Sequence, residues 1–114
     1  MKQTGKLDYL ELPARGGTLD GVKAFYSRAF GWAFVDYGPT YSAFDEGLDG
    51  GFQAEPSEVT EKPLPVLYSE DLEQTARQVE DAGGRIVRPI FSFPGGRRFH
   101  FVDPAGNELA VWGE

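Results

Sequence analysis

The chain opens with strict alternation of apolar and polar residues, Leu7-Asp8-Tyr9-Leu10-Glu11-Leu12, the period-two pattern of a strand with one buried face. A Gly-rich turn follows, with Thr18 as a candidate N-cap. Leu19, Val22, Phe25/Tyr26 and Ala29/Phe30 then recur at helical spacing, and Gly31 supplies the stop. Three short strands are predicted next, over residues 32–37, 41–45 and 51–54, separated by Gly38-Pro39 and the stretch 46–50.

The second half repeats this order. Residues 64–69 read as a strand, and Asp71 as a helix cap with Gln74 as its capping-box partner. Leu72, Thr75/Ala76, Val79 and Ala82 form the apolar stripe of the helix, which Gly83-Gly84 ends. Strands are predicted at 85–89, 97–102 and 108–112, with turns at Gly95-Gly96 and at 104–106. The halves register on each other, Ala29 on Ala82 and Gly31 on Gly84. Leu12 falls on Leu67 at an offset two residues longer, as the extra Gly16-Gly17 requires. The expectation is an α+β fold of tandem βαβββ modules within a single domain spanning 1–114. Module 1 covers about residues 6–55 and module 2 about 63–113, with 55–62 as the linker.

Composition narrows the chemistry. At 114 residues the chain can bury a core without staples. The absence of cysteine removes disulfides, thiolate metal sites and a cysteine nucleophile, and a single histidine removes any multi-histidine metal centre within one copy. A formal charge of −7 opposes a nucleic-acid surface, which needs a basic face. No apolar run reaches membrane-spanning length and no signal-peptide pattern opens the chain, so a cytoplasmic location and no membrane partner are expected.

The ordered set Tyr9-Leu10-Glu11-Leu12-Pro13, Ala24-Phe25-Tyr26-Ser27-Arg28-Ala29-Phe30-Gly31-Trp32, the helix stop at 79–84 and Phe101-Val102-Asp103-Pro104-Ala105-Gly106-Asn107 resembles the glyoxalase/bleomycin-resistance/dioxygenase (vicinal-oxygen-chelate) superfamily. The resemblance covers about residues 7–112. It implies a mixed sheet curled around a cavity, helices packed outside, and a homodimer. It also implies metal chemistry, in which an ion held by His and Glu side chains binds neighbouring substrate oxygens. The family's ligand positions fall here on Tyr9, on Leu64, around Gly51 or Phe52, and on Ala110. A neutral phenol is a poor ligand for a divalent ion, and Leu and Ala offer none. No metal and no other cofactor is therefore expected.

Given that architecture, alternation sorts the side chains. Leu10, Leu12, Phe99, Phe101, Leu109 and Val111 should face the helices. The expected cavity lining, and so the candidate ligand-binding set, is Tyr9, Glu11, Tyr68, Arg98, His100, Glu108 and Trp112. The aromatics offer apolar walls, Arg98 an anchor for a carboxylate or other anion, and His100 or Glu108 a proton-transfer group. The acidic total suits a cationic ligand, with Glu11 and Glu108 as partners. The competing structural readings are an Arg–Glu pair, a hydrogen-bonded core histidine, and aromatics filling a wall or a dimer interface. Asp103-Pro104-Ala105-Gly106-Asn107 reads as a turn, and Phe93-Pro94-Gly95-Gly96-Arg97 as a hairpin loop at the cavity rim. The functional expectation is a metal-independent domain that binds a small organic molecule. The alternatives are a metal-free isomerase or lyase acting next to a carbonyl, and, least favoured, a metal-dependent lyase or dioxygenase.

Overall fold

The computed structural model describes residues 2–114, and these hold eight strands and two helices in the order β1-α1-β2-β3-β4-β5-α2-β6-β7-β8. The fold is α+β, and the element order is the tandem βαβββ that the sequence predicts. The chain forms two compact units: Tyr9–Leu64, and Pro65–Glu114 together with the chain up to Asp8. Among the described residues no helix is long and apolar enough to cross a membrane.

In the first unit, β1 (Leu7–Pro13) runs parallel to β4 (Asp49–Gln53), which pairs antiparallel with β3 (Tyr41–Asp45), and β3 pairs with the two-residue β2 (Val35–Asp36). Helix α1 (Leu19–Phe30) packs on one face of these strands. Ala14, Leu19, Phe44 and Phe52 are buried there, with Leu12, Val22, Tyr26, Trp32 and Phe34 around them. Tyr26 stacks on Trp32 at 4.6 Å between ring centroids, so the core is largely aromatic. The helical stripe uses Tyr26, and Phe25 and Phe30 are left exposed. Gly31 ends the helix in the left-handed region (φ 74°), its N–H bonded to the Ser27 carbonyl.

Two local expectations fail in this unit. Thr18 makes no side-chain cap, because its hydroxyl donates to the Arg15 carbonyl at 2.6 Å. The strand predicted over 32–37 shrinks to β2, because Trp32 and Phe34 are drawn into the aromatic core and the Ala33 N–H goes to the Glu46 carboxylate.

In the second unit, β5 (Leu64–Tyr68) runs parallel to β8 (Glu108–Gly113), followed in the sheet by β7 (Gly96–Val102) and β6 (Arg85–Phe93), both antiparallel to their neighbours. Helix α2 (Leu72–Asp81) covers one face, with Leu72, Ala76 and Val79 against Leu67, Phe99, Phe101 and Val111. The placing of Phe99, Phe101 and Val111 on the helix side follows the predicted alternation. Asp71 caps α2 by accepting from the Gln74 N–H at 3.1 Å. The reciprocal half of the capping box is not made by Gln74, since the Asp71 N–H goes to the Ser69 hydroxyl at 3.0 Å. Ala82 lies beyond the last turn and is exposed, outside the stripe.

The largest difference from expectation is β6. It continues to Phe93, which pairs with Gly96, so the predicted hairpin loop is a tight two-residue turn, Pro94-Gly95. The predicted turn after β7 forms as read. The Asp103 carboxylate accepts from the Asn107 side chain at 3.0 Å and from the backbone N–H groups of Asn107 and Ala105 at 2.9 Å each, and these bonds, the Asn107 side chain foremost, hold its carboxyl below the usual range.

Candidate functional site

The face of the second unit's sheet opposite α2 is set by register. Directly opposed residues on neighbouring strands share a face, and alternate residues along each strand stay on it. On β7 and β8, Arg98 stands opposite Trp112 and His100 opposite Ala110. On β5 and β8, Val66 stands beside Ala110 and Tyr68 beside Trp112. On β6 and β7, Arg88 stands opposite His100 and Phe91 opposite Arg98, the register shifting on both sides of Arg88 at a bulge. Tyr68, Arg98, His100 and Trp112 of the predicted set are thus brought onto one face, and Glu108 reaches it from the start of β8.

His100 is the centre of this group and is 2% exposed. Its Nδ1 lies 2.9 Å from the Glu108 carboxylate, a diagonal cross-strand contact. Its Nε2 is buried and has no hydrogen-bond partner among the described residues. Burial pushes the imidazole below its ordinary value; the Glu108 hydrogen bond opposes this, and the Arg98 and Arg88 charges add to it. The neutral ring therefore dominates near pH 7. A carboxylate can only accept, so the single ring proton sits on Nδ1 and Nε2 carries the bare lone pair.

The surrounding side chains are held in place. Trp112 donates its indole N–H to Asp8 at 2.8 Å and meets the Tyr68 ring edge-on at 5.3 Å. Phe91 lies 5.9 Å from the imidazole, with the Arg88 guanidinium 3.6 Å from its ring centroid and that of Arg98 at 5.5 Å. Arg88 and Phe91 were missed in the sequence. The bulge resets the alternation along β6, and Pro89 cut the predicted strand short.

Tyr9 and Glu11 belong to the first unit. Glu11 is buried and stands opposite Gly51, and the Tyr9 hydroxyl is hydrogen-bonded to that of Tyr41. Gly51 has no side chain because the Tyr41 phenol occupies the place where a Cβ would project.

This arrangement settles the fit of the family's metal. Among its ligand positions, Leu64 and Ala110 are buried hydrocarbon, Gly51 is covered by a phenol, and Tyr9 is bonded to Tyr41. Among the described residues no three His, Cys, Asp or Glu side chains converge as a metal site. The donor set does not fit a divalent ion.

Comparison with known proteins agrees with the fold. The sequence profile of the Glyoxalase/Bleomycin resistance protein/Dioxygenase superfamily matches residues 6–111. No curated protein sequence matches the chain. Among solved structures, NAD-dependent benzaldehyde dehydrogenase from Legionella pneumophila superposes with a TM-score of 0.74 at 18% identity, covering 92% of this chain and 96% of that one. Methylmalonyl-CoA epimerase from Mycobacterium tuberculosis gives 0.72 at 14% identity, covering 99% and 90%. The Mn(II)-bound glyoxalase from Novosphingobium aromaticivorans gives 0.67 at 18% identity, covering 99% of this chain and 40% of that one. Similarity at these identities is similarity of fold.

Proposed function

The chain belongs to the glyoxalase/bleomycin resistance protein/dioxygenase superfamily, and from that premise we propose that it binds a small organic molecule without a metal, on the face of the second unit that carries His100. The supporting observation is the buried imidazole with one nitrogen fixed by Glu108 and the other lacking a partner. A buried polar atom left unsatisfied costs about 1–3 kcal/mol, so a bound molecule that donates to it recovers that cost. Arg98, with five donors, and the Tyr68–Trp112 edge pair supply charge and apolar wall around it. The donor set at the family's metal positions supports the metal-independent part of the reading. The large apolar side chains exposed on the first unit, Phe25, Phe30, Val35 and Tyr37, favour a homodimer, which sedimentation at micromolar concentration tests.

A thermal-shift screen of small organic acids, alcohols and amines is the direct test, because a ligand that binds only the folded state raises its apparent stability. Stabilising hits that persist after chelation and dialysis are expected. A stoichiometric divalent ion surviving dialysis, or hits abolished by chelation, would overturn the reading.

The His100–Glu108 pair favours one alternative, a metal-free isomerase or lyase. There the bare Nε2 takes a proton from the carbon beside a carbonyl, and the negative charge passes to the carbonyl oxygen against Arg98. Glu108 holds the imidazolium so formed. Deuterium exchange into a bound carbonyl compound, lost in His100→Asn, would favour this enzyme over the binder.

A further inference from the structure

Resting on that reading, the geometry points to the ligand's chemical class: a small organic anion carrying an O–H or N–H donor, the donor received by His100 Nε2 and the anion by Arg98. Three independent observations meet here. The first is the acceptor. Glu108 occupies Nδ1 at 2.9 Å and so commits the ring proton to that side, leaving a lone pair, not a proton, at the partnerless Nε2. An acceptor selects a donor.

The second is charge. The chain carries −7 overall, yet Arg88 and Arg98 flank Phe91 on this face, and Arg98 is 9% exposed. Of the two carboxylates predicted to meet a cationic ligand, Glu108 is engaged with the imidazole and Glu11 belongs to the first unit. A guanidinium with five donors can take a ligand carboxylate alongside its other contacts.

The third is spacing. Arg98 and His100 are alternate residues on β7, so their side chains project from the same face about 7 Å apart at the backbone. Opposite His100 stands Ala110, whose side chain is a single methyl, and opposite Arg98 stands Trp112. A single rigid frame carrying both an anion and a donor can meet two groups on one face, and a ring bearing a carboxylate and a hydroxyl is the simplest such frame, with Trp112 and Phe91 as apolar neighbours on that face.

The test uses four probes: 3-hydroxybenzoate (anion and donor), 3-methoxybenzoate (anion, acceptor only), 3-hydroxybenzyl alcohol (donor without anion) and 3-hydroxybenzylamine (cation with donor). His100 is the chain's only histidine, so its two ring nitrogens are assigned without ambiguity in a long-range proton–nitrogen spectrum. In the free protein Nε2 should resonate as a pyridine-type nitrogen and Nδ1 as pyrrole-type. 3-Hydroxybenzoate should shift Nε2 and bind about tenfold more tightly than 3-methoxybenzoate, with the alcohol and amine weaker still.

Glu108→Gln supplies the decisive variant. The Gln amide can donate to Nδ1, which moves the ring proton to Nε2 and turns the acceptor into a donor. The preference for 3-hydroxybenzoate over 3-methoxybenzoate should then vanish or invert. A pyrrole-type Nε2 in the wild-type protein, an unchanged preference in the variant, or tighter binding of the amine than of 3-hydroxybenzoate would overturn the proposal. If none of the four probes shifts Nε2 but other compounds in the wider screen bind, the ligand class is wrong and the binding reading stands. If nothing in the wider screen binds, the binding reading itself fails.

Discussion

The two units share element order and strand order, yet the sheet faces turned away from their helices carry different chemistry. Their registers make the comparison residue by residue. In the first unit Tyr41, Ala43 and Gly51 occupy the positions that Arg98, His100 and Ala110 hold in the second. One face is closed by a phenol lying over a glycine and bonded to Tyr9. The other holds a buried imidazole, guanidinium groups and an indole. The helix-side faces differ less, since both are apolar, one built from stacked aromatics and the other from Leu, Val and Phe. Topology depends on the helix-side face, which both units must bury. The opposite face is free to diverge.

If that division is right, truncations on the helix side should be equally severe in both units. Phe99→Ala and Phe52→Ala should each lose about 3–5 kcal/mol in denaturant titration, because both side chains are buried. A loss below about 1 kcal/mol in either would break the comparison. Next in size is Gly51→Ala, whose added methyl must displace the Tyr41 ring, at a cost of about 1–3 kcal/mol. Combining it with Tyr41→Ala should relieve the clash, so the double variant is less destabilised than the sum of the singles. Strict additivity would show that Tyr41 does not close this face.

The helix starts differ as well. Asp71→Ala should destabilise by about 1 kcal/mol through loss of the α2 cap. Thr18→Ala, whose hydroxyl caps nothing at α1, should stay within about 0.5 kcal/mol. Equal losses would contradict the observed bonding.

The smallest effect is the pH dependence of the second unit. His100 has a folded pKa below its unfolded value of about 6.5, so the unfolded chain takes up the proton first. Stability should fall as pH drops from about 6.5 toward the folded value. His100→Asn should flatten that slope. Glu108→Gln should lower the His100 titration midpoint further, since the carboxylate is what opposes the burial. The carboxylates held below their ordinary values, Asp36, Glu73 and Asp103, act at lower pH. Their stabilisation is present above about pH 4 and is lost as acid passes their folded values, so it leaves the histidine window clear.

Much of this was legible in the chain. The alternation around Leu10 and Leu12, the stripe from Leu72 to Val79, the stop at Gly31 and the Asp103 turn each depend on contacts within a few residues. Their patterns therefore survive in one dimension. The gathering of Tyr68, Arg98, His100, Glu108 and Trp112 on one face was also readable, because alternation fixes the side to which each residue points. What misled was local competition. Thr18 and Gln74 had suitable side chains, but the Thr18 hydroxyl took the Arg15 carbonyl and the Ser69 hydroxyl took the Asp71 N–H before Gln74 could.

The sequence by itself determined the paired βαβββ order, the apolar faces and the lack of ligands at the family's metal positions, since residue type and spacing suffice for these. Tertiary structure alone decided which nitrogen of His100 is held and which is bare, that Arg88 and Phe91 join its face, and that Tyr41 fills the place above Gly51. Those outcomes depend on register between strands and on a bulge in β6. Pairing across distant segments, unlike periodicity, is not written in any short stretch of the chain.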